Sequence, residues 1–135
     1  IAVSAPGGLT VPVVRDCDKK SETEIAHDIV EVATKAREGS LAAQDFQGGC
    51  FTLTNMGALG GTNAIPMINY PEVAILAMAR TQQKPVVRNG EVVVRDILPL
   101  TLSFDHRIGD GSHAAAFMNP LVARLSNPAR YAAEV

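Results

Sequence analysis

The sequence lacks any excess of basic charge: 12 Lys and Arg stand against 14 Asp and Glu, for a formal net charge of −2. The counterion release that draws proteins onto nucleic acid therefore has no source here, nor does the pull of an anionic membrane surface. The signs are mixed along the chain, with no block of like charge to act as an interaction tail. No apolar run approaches the roughly 20 residues of a membrane-spanning helix. Cysteine is scarce: Cys17 and Cys50 are the only two, and neither sits in a CxxC or other metal-ligand spacing. The two fit a reducing compartment better than a disulfide framework and read as packing or surface thiols. Internal repeats and low-complexity segments are also missing. No signal peptide is visible in the given residues, which do not begin with Met and open on Ile1-Ala2-Val3 in the manner of a strand. The expectation is a piece of a longer protein.

What is present fits one globular core, with 47% hydrophobic and 19% charged residues in 135. A strand–turn–strand is expected across Pro6-Gly7-Gly8, with Leu9 to Val14 as its second arm. Ser21-Glu22-Thr23-Glu24 is a capping box. Behind it Ile25, Ile29, Val32, Ala33 and Ala36 fall on one helical stripe that Gly39 stops. Ser40 to Phe46 suits a single turn. Cys50 to Asn55 alternates Phe51 and Leu53 against Thr52 and Thr54, which predicts a strand with Phe51 and Leu53 on its apolar face. Met56 to Tyr70 is glycine- and proline-bearing loop. Val73 to Ala79 reads as a strand covered on both faces. Asn89-Gly90 marks a hairpin within Pro85 to Leu98. Leu100 to Phe104 is a further strand, and a last helix starts near Ser112, presents Phe117, Leu121 and Leu125 to the core, and kinks or breaks at Pro120. The whole predicts a mixed sheet with two helices packed on it.

The stretch richest in chemistry is Leu102-Ser103-Phe104-Asp105-His106-Arg107-Ile108-Gly109-Asp110-Gly111. A strand ends on a histidine and an Asp-Gly follows four residues later. A strand end aims an imidazole rigidly, and imidazole titrates near neutral pH, which suits a general base. Asp110 can hydrogen-bond nearby groups that hold the turn. Spacing alone equally suits a histidine satisfied within a turn. A Ser-His-Asp hydrolase built on Ser103 lacks the Gly-x-Ser-x-Gly elbow. A metal site from His106, Asp110 and His113 matches no tight zinc pattern and would consume the base. His27 lies off the apolar stripe of its helix and reads as solvated. Arg80, Lys84 and Arg88 are surface charges or contacts to phosphates.

The flanking residues narrow these options. Asp105-His106-Arg107-x-x-Asp110-Gly111, after Leu100-x-Leu102-Ser103-Phe104, resembles the active-site signature of the dihydrolipoamide acyltransferases, the core components of 2-oxo acid dehydrogenase complexes. Gly49-Cys50-Phe51-Thr52-Leu53-Thr54-Asn55-Met56-Gly57 resembles a second segment of that family, and Pro66-Met67-Ile68-Asn69-Tyr70-Pro71-Glu72-Val73-Ala74-Ile75-Leu76 a third. The opening Ile1-Ala2-Val3-x-x-Pro6-x-Gly8-Leu9-x-Val11-Pro12-Val13 is similar to its strand pair.

The resemblance implies an α/β fold, a chloramphenicol-acetyltransferase-like two-layer sandwich of mixed sheet and packed helices. Residues 1–135 would be the C-terminal portion of a single catalytic domain, without lipoyl or peripheral-subunit-binding domain. It implies transfer of an acyl group between dihydrolipoamide and coenzyme A, with His106 as general base, Asp110 beside it and Thr54 stabilising the oxyanion. Leu76, Asn55 and Ser103 fall on substrate-side positions, and no metal is implied. Coenzyme A and a lipoyl group on another domain are substrates, with no covalent cofactor in this chain. The implied partners are a homotrimer building a larger symmetric core, lipoyl domains, and the decarboxylase and dihydrolipoamide dehydrogenase components. In such trimers the histidine and the hydroxyl come from neighbouring subunits. The setting would be cytoplasmic in a bacterium or the mitochondrial matrix in a eukaryote.

Ala64-Ile65-Pro66 and Pro71-Glu72-Val73 look closer to acetyl- or branched-chain-type members than to succinyl-type ones, with acetyl favoured. Many members carry an Asp at the position of Ser4, paired with an Arg outside this chain. Asp105 stands where chloramphenicol-type enzymes carry a second histidine. The alternatives are a structural core piece without turnover and a branched-chain-specific enzyme.

Overall fold

The computed structural model describes residues 1–129, which form two compact units, Ile1–Ser103 and one beginning at Phe104. Among the described residues no helix is long and apolar enough to cross a membrane.

In the first unit, strands β1 (Val3–Ala5) and β2 (Gly8–Thr10) pair antiparallel around the Pro6-Gly7 turn. The second arm stops at Thr10 rather than reaching Val14, because Pro12 has no N–H to give a ladder. Pro12 is instead fully buried, and its carbonyl accepts from the Ile1 ammonium at 2.9 Å. Helix α1 (Glu22–Glu38) carries the expected reciprocal cap: Glu24 N donates to Ser21 Oγ at 3.3 Å, and Ser21 N to Glu24 Oε2 at 2.8 Å. Gly39 closes it in the left-handed conformation, φ 69°. Ile25, Ile29, Val32 and Ala33 are half-buried and Ala36 buried, as the stripe predicts, and His27 is exposed. This face packs on β1. A single 3-10 turn, Ala43–Phe46, follows.

Strand β3 (Thr52–Asn55) lies parallel to β4 (Ala74–Met78), with Thr54 opposite Ala77 and Leu53 opposite Leu76. Ala74, Ile75, Leu76 and Ala77 are all buried, so β4 is covered on both faces as its unbroken apolar run requires. The expected facing of β3 is wrong. Thr52 is the buried residue, 1% exposed, while Phe51 and Leu53 are half-buried. The reason is a partner distant in sequence: Thr52 Oγ1 donates to Glu72 Oε2 at 2.5 Å, which satisfies the hydroxyl inside. β5 (Gln82–Arg88) and β6 (Glu91–Ile97) make the expected hairpin. Asn89 and Gly90 turn it with φ 54° and 83°, the signs a type I′ turn needs. β7 (Leu100–Phe104) extends the ladder to the order β3-β4-β7. The α/β class with two helices stands, but among the described residues the strands form three separate sheets, two of them two-stranded.

The second unit holds helix α2 (Gly111–Leu125), capped by Asp110. It runs without a break through Pro120, so of the expected kink or break the break does not occur. Pro120 removes one N–H, so the Ala116 carbonyl loses its partner, but the helix on either side continues. The expected inward face is also displaced. Ala114, Met118 and Leu121 form the half-buried stripe, whereas Phe117 is 47% and Leu125 52% exposed.

Candidate active site

The two halves of the sequence-predicted site rise from different structural sources. Thr54 sits near the end of β3, half-buried, and the parallel partner β4 fixes its height through the Thr54–Ala77 register. The chain then turns sharply. Gly57 N donates to Asn55 Oδ1 at 2.9 Å, Met56 N to Met78 O at 2.9 Å, and Arg80 N to Gly61 O at 2.7 Å. Gly57 is needed at this point: a Cβ would stand 3.1 Å from Ala79 O and 3.2 Å from Arg80 Cα, both backbone atoms. Asn55 Oδ1 is thus engaged in the turn that follows Thr54. Leu76 is 5% exposed in the middle of β4. Ser103 is half-buried near the end of β7, and Ser4 is exposed on β1 opposite Leu9. Arg80, Lys84 and Arg88 are all exposed.

His106 follows β7 directly and is exposed; its ring lies 5.6 Å from that of Phe104, tilted by 33°. The turn that holds it is closed by backbone bonds from Ile108 N (3.0 Å) and Gly109 N (3.1 Å) to Asp105 O. The Asp105 side chain adds a second clamp. Its oxygens accept from Arg107 Nε at 2.9 and 3.1 Å and from Nη2 at 2.6 Å, while Arg107 N donates to Oδ1 at 3.0 Å. These donors, Arg107's side chain foremost, hold the Asp105 carboxyl down at about 2. Asp105 and Arg107 thus serve each other across His106, which lies between them.

Asp110 closes the segment. Its Oδ1 accepts from Ser112 Oγ at 2.6 Å, Ser112 N at 2.9 Å and His113 N at 3.2 Å, with His113 Nδ1 a further 2.8 Å contact. The Ser112 hydroxyl foremost, then the His113 amide and ring, lower its carboxyl to about 2, so it is an anion throughout the neutral range. The structure therefore joins Asp110 to Ser112 and His113 at the start of α2. Reasoning from sequence weighed His113 only as a metal ligand and missed both this contact and the Asp105–Arg107 clamp. The signal was available in Asp110-Gly111-Ser112-His113, a cap residue followed three positions later by a polar side chain. Thr54, Asn55, Leu76 and Ser103 belong to the first unit, and His106 and Asp110 to the second.

Comparison with known proteins places this arrangement. Residues 1–133 match the family model for the 2-oxoacid dehydrogenases acyltransferase (catalytic domain). A Haemophilus influenzae dihydrolipoyllysine-residue acetyltransferase component of pyruvate dehydrogenase complex is 45% identical over 127 residues, covering 94% of this chain and 22% of that protein. The succinyltransferase component of the 2-oxoglutarate dehydrogenase complex from the same organism is 44% identical over 135 residues, covering 100% of this chain and 33% of that protein. The chain thus spans a third or less of the length of these curated relatives. Among solved structures, Azotobacter vinelandii dihydrolipoamide acetyltransferase superposes with TM-score 0.89 at 43% identity, covering 93% of this chain and 52% of that one. That work concerns the role of a serine, a histidine and an asparagine in the catalytic mechanism, the serine 52 positions before the histidine and the asparagine four after it. The cubic core of a pyruvate dehydrogenase multienzyme complex matches with the same TM-score, identity and coverage. With nearly its whole length matched, this chain belongs to the 2-oxoacid dehydrogenase acyltransferase family, within the catalytic domain.

Proposed function

We propose that this chain carries the catalytic residues of an acyltransferase that moves an acyl group, acetyl in the favoured reading, between dihydrolipoamide and coenzyme A at the core of a 2-oxo acid dehydrogenase complex. One observation carries the residue assignment. Thr54 precedes His106 by 52 positions and Asp110 follows it by four, the spacing of the serine, histidine and asparagine studied in the Azotobacter enzyme. Threonine for serine keeps the hydroxyl. Aspartate for asparagine keeps Oδ1, the atom that receives the donors of α2.

The chemistry follows from these groups. A thiol near pH 7 is mostly protonated and becomes a nucleophile as thiolate. His106, exposed at a turn clamped on both sides, takes the proton from the attacking thiol. The thiolate adds to the thioester carbonyl, and the resulting oxyanion receives a hydrogen bond from Thr54 Oγ1. Collapse breaks the original carbon–sulfur bond, and the leaving thiolate recovers the proton from His106. Both thiols belong to substrates, so no acyl-enzyme intermediate arises. Leu76, Asn55 and Ser103 are assigned to the substrate side, and Asn55 Oδ1 also holds the turn behind Thr54. The proposed assembly is a homotrimer within a larger symmetric core, Thr54 and His106 of each site coming from neighbouring subunits. Lipoyl domains, the decarboxylase and dihydrolipoamide dehydrogenase are its partners, in the bacterial cytoplasm or the mitochondrial matrix.

The test is turnover of acetyl-, isobutyryl- and succinyl-coenzyme A with dihydrolipoamide by the native assembly, beside His106→Ala. Acetyl transfer is expected to lead, and His106→Ala to lose at least about a thousandfold in kcat, since both proton transfers go with the base. A variant as active as the wild type removes His106 from the mechanism. Faster succinyl than acetyl transfer overturns the acetyl assignment; the near-equal identities to acetyl- and succinyltransferases do not prejudge it.

A further inference from the structure

We propose that His113 is a positioning residue for acyl transfer, holding the Asp110 carboxylate through an Nδ1–H donor; this rests on the acyl-transfer reading above. Of the four contacts that converge on Asp110 Oδ1, three would form whatever side chain stood at position 113: Ser112 N, Ser112 Oγ and His113 N. The imidazole supplies the fourth. Its position, third in the helix after the cap, ordinarily carries Glu or Gln whose oxygen accepts from the cap residue's own N–H. Beside an aspartate cap a glutamate there would meet like charge, whereas an imidazole can donate.

The distances show which role the ring takes. Nδ1 is 2.8 Å from Asp110 Oδ1 and 3.4 Å from Asp110 N. One ring nitrogen cannot donate to the first and accept from the second at once. The shorter contact, to a charged oxygen, selects Nδ1–H. The contact thereby calls for a proton on Nδ1, and the side chain is 75% exposed.

This contact ends a series of local bonds that brackets the proposed base on both sides. Arg107 clamps Asp105, the Asp105 carbonyl holds the Ile108 and Gly109 amides, and Asp110 begins α2 under the donors of Ser112 and His113. His106 lies inside that series. Without the ring, Asp110 Oδ1 keeps its three other donors but loses one of four contacts, which weakens the last anchor of the turn. Misplacement of a catalytic group by a fraction of an ångström lowers the chemical step while leaving substrate binding alone.

The test compares wild type, His113→Ala and His113→Asn in the native assembly, with kcat and KM for acetyl-coenzyme A and the size of the assembly measured for each. Asparagine places an N–H donor near the position of Nδ1. His113→Ala is expected to lower kcat about five- to tenfold with KM within about twofold, and His113→Asn to recover kcat to within about twofold of wild type. Solid-state nitrogen NMR of 15N-histidine-labelled protein, with the His113 signal assigned by its loss in His113→Asn, should show Nδ1–H in the wild type and Nε2–H in Asp110→Ala. His113→Ala at wild-type kcat overturns the inference, as does equal loss in Ala and Asn variants or an Nε2–H ring in the wild type. A wild type without acyl transfer overturns the acyl-transfer reading and this inference with it, a failure told apart from the others because the tautomer measurement needs no turnover.

Discussion

Strand β3 and the turn after β7 deliver the two groups of the proposed reaction by opposite means. Thr54 is held from a distance: its strand pairs in parallel with β4, some twenty residues further along the chain, and that partner is buried on both faces. His106 is held from close by: every hydrogen bond named for its turn spans two to four residues. All the buried side chains among the described residues lie in the first unit. The hydroxyl is therefore as rigid as the core it grows from, and the histidine as rigid as a set of exposed, charge-assisted bonds can make it. Damage to the packed scaffold behind Thr54 should show as lost stability, and damage to the clamps around His106 as lost turnover in a folded protein.

The sharpest test of that contrast on the side of the core is Thr54 itself. Thr54→Ala removes one donor from the oxyanion and should lower kcat about a hundredfold, with Thr54→Ser restoring most of it. Because Thr54 is half-buried and its neighbours on β4 stay packed, the unfolding midpoint should move little. Steady-state kinetics beside denaturant melts would check both. A large fall in stability would mean that Thr54 is a strut of β3 and would blur the distinction drawn here.

Glu72 offers the converse. It receives Thr52 Oγ1 at 2.5 Å and Asn69 Nδ2 at 3.4 Å, and a Cβ at Gly49 would stand 2.8 Å from its Oε1. Glu72→Ala strands a hydroxyl that is buried to 1% exposure, at a cost of about 1–3 kcal/mol. Urea melts of the native assembly should register that loss, while kcat in the fraction that stays folded changes by less than about twofold. A wild-type melt for Glu72→Ala would show that Thr52 finds another partner and that the anchor of β3 lies elsewhere.

The same split decides what could be read from the sequence. Elements that depend on neighbours in the chain were legible: the Ser21–Glu24 box, the stripe from Ile25 to Ala36 and the Asn89-Gly90 turn all form as patterned. The inward face of β3 was not, because alternation alone set Phe51 and Leu53 against Thr52 and could not know that Glu72 would satisfy a hydroxyl inside. Nor was the face of α2, where an apolar pattern reads the same whichever of Ala114, Met118 or Phe117 turns inward. In the site, His106, Asp110 and Thr54 came from the motifs, while the clamps around them did not. The motifs name the candidate reacting groups; the contacts that Arg107 and His113 make beside them are set by hydrogen-bond geometry.

The smallest expected effect concerns acid. Asp105 and Asp110 are both depressed from 3.8 to about 2, the first by Arg107 and the second by Ser112 and His113. A carboxylate whose folded value lies below its unfolded one contributes stability above the unfolded value and loses it as pH falls through the folded one. The clamps of the His106 turn should thus be intact at pH 4 and above, weaken between about 4 and 2, and be gone below. Carbonyl NMR of both aspartates should show midpoints near 2, moving up toward 3.8 in Arg107→Ala for Asp105 and in Ser112→Ala for Asp110. The two exposed clamps should titrate independently, since their donors are separate. If instead both carboxylates protonate together with a cooperative loss of β3–β4 amide protection, the turn is not a locally held element but a part of the core. The contrast between the two halves of the site would then collapse into one.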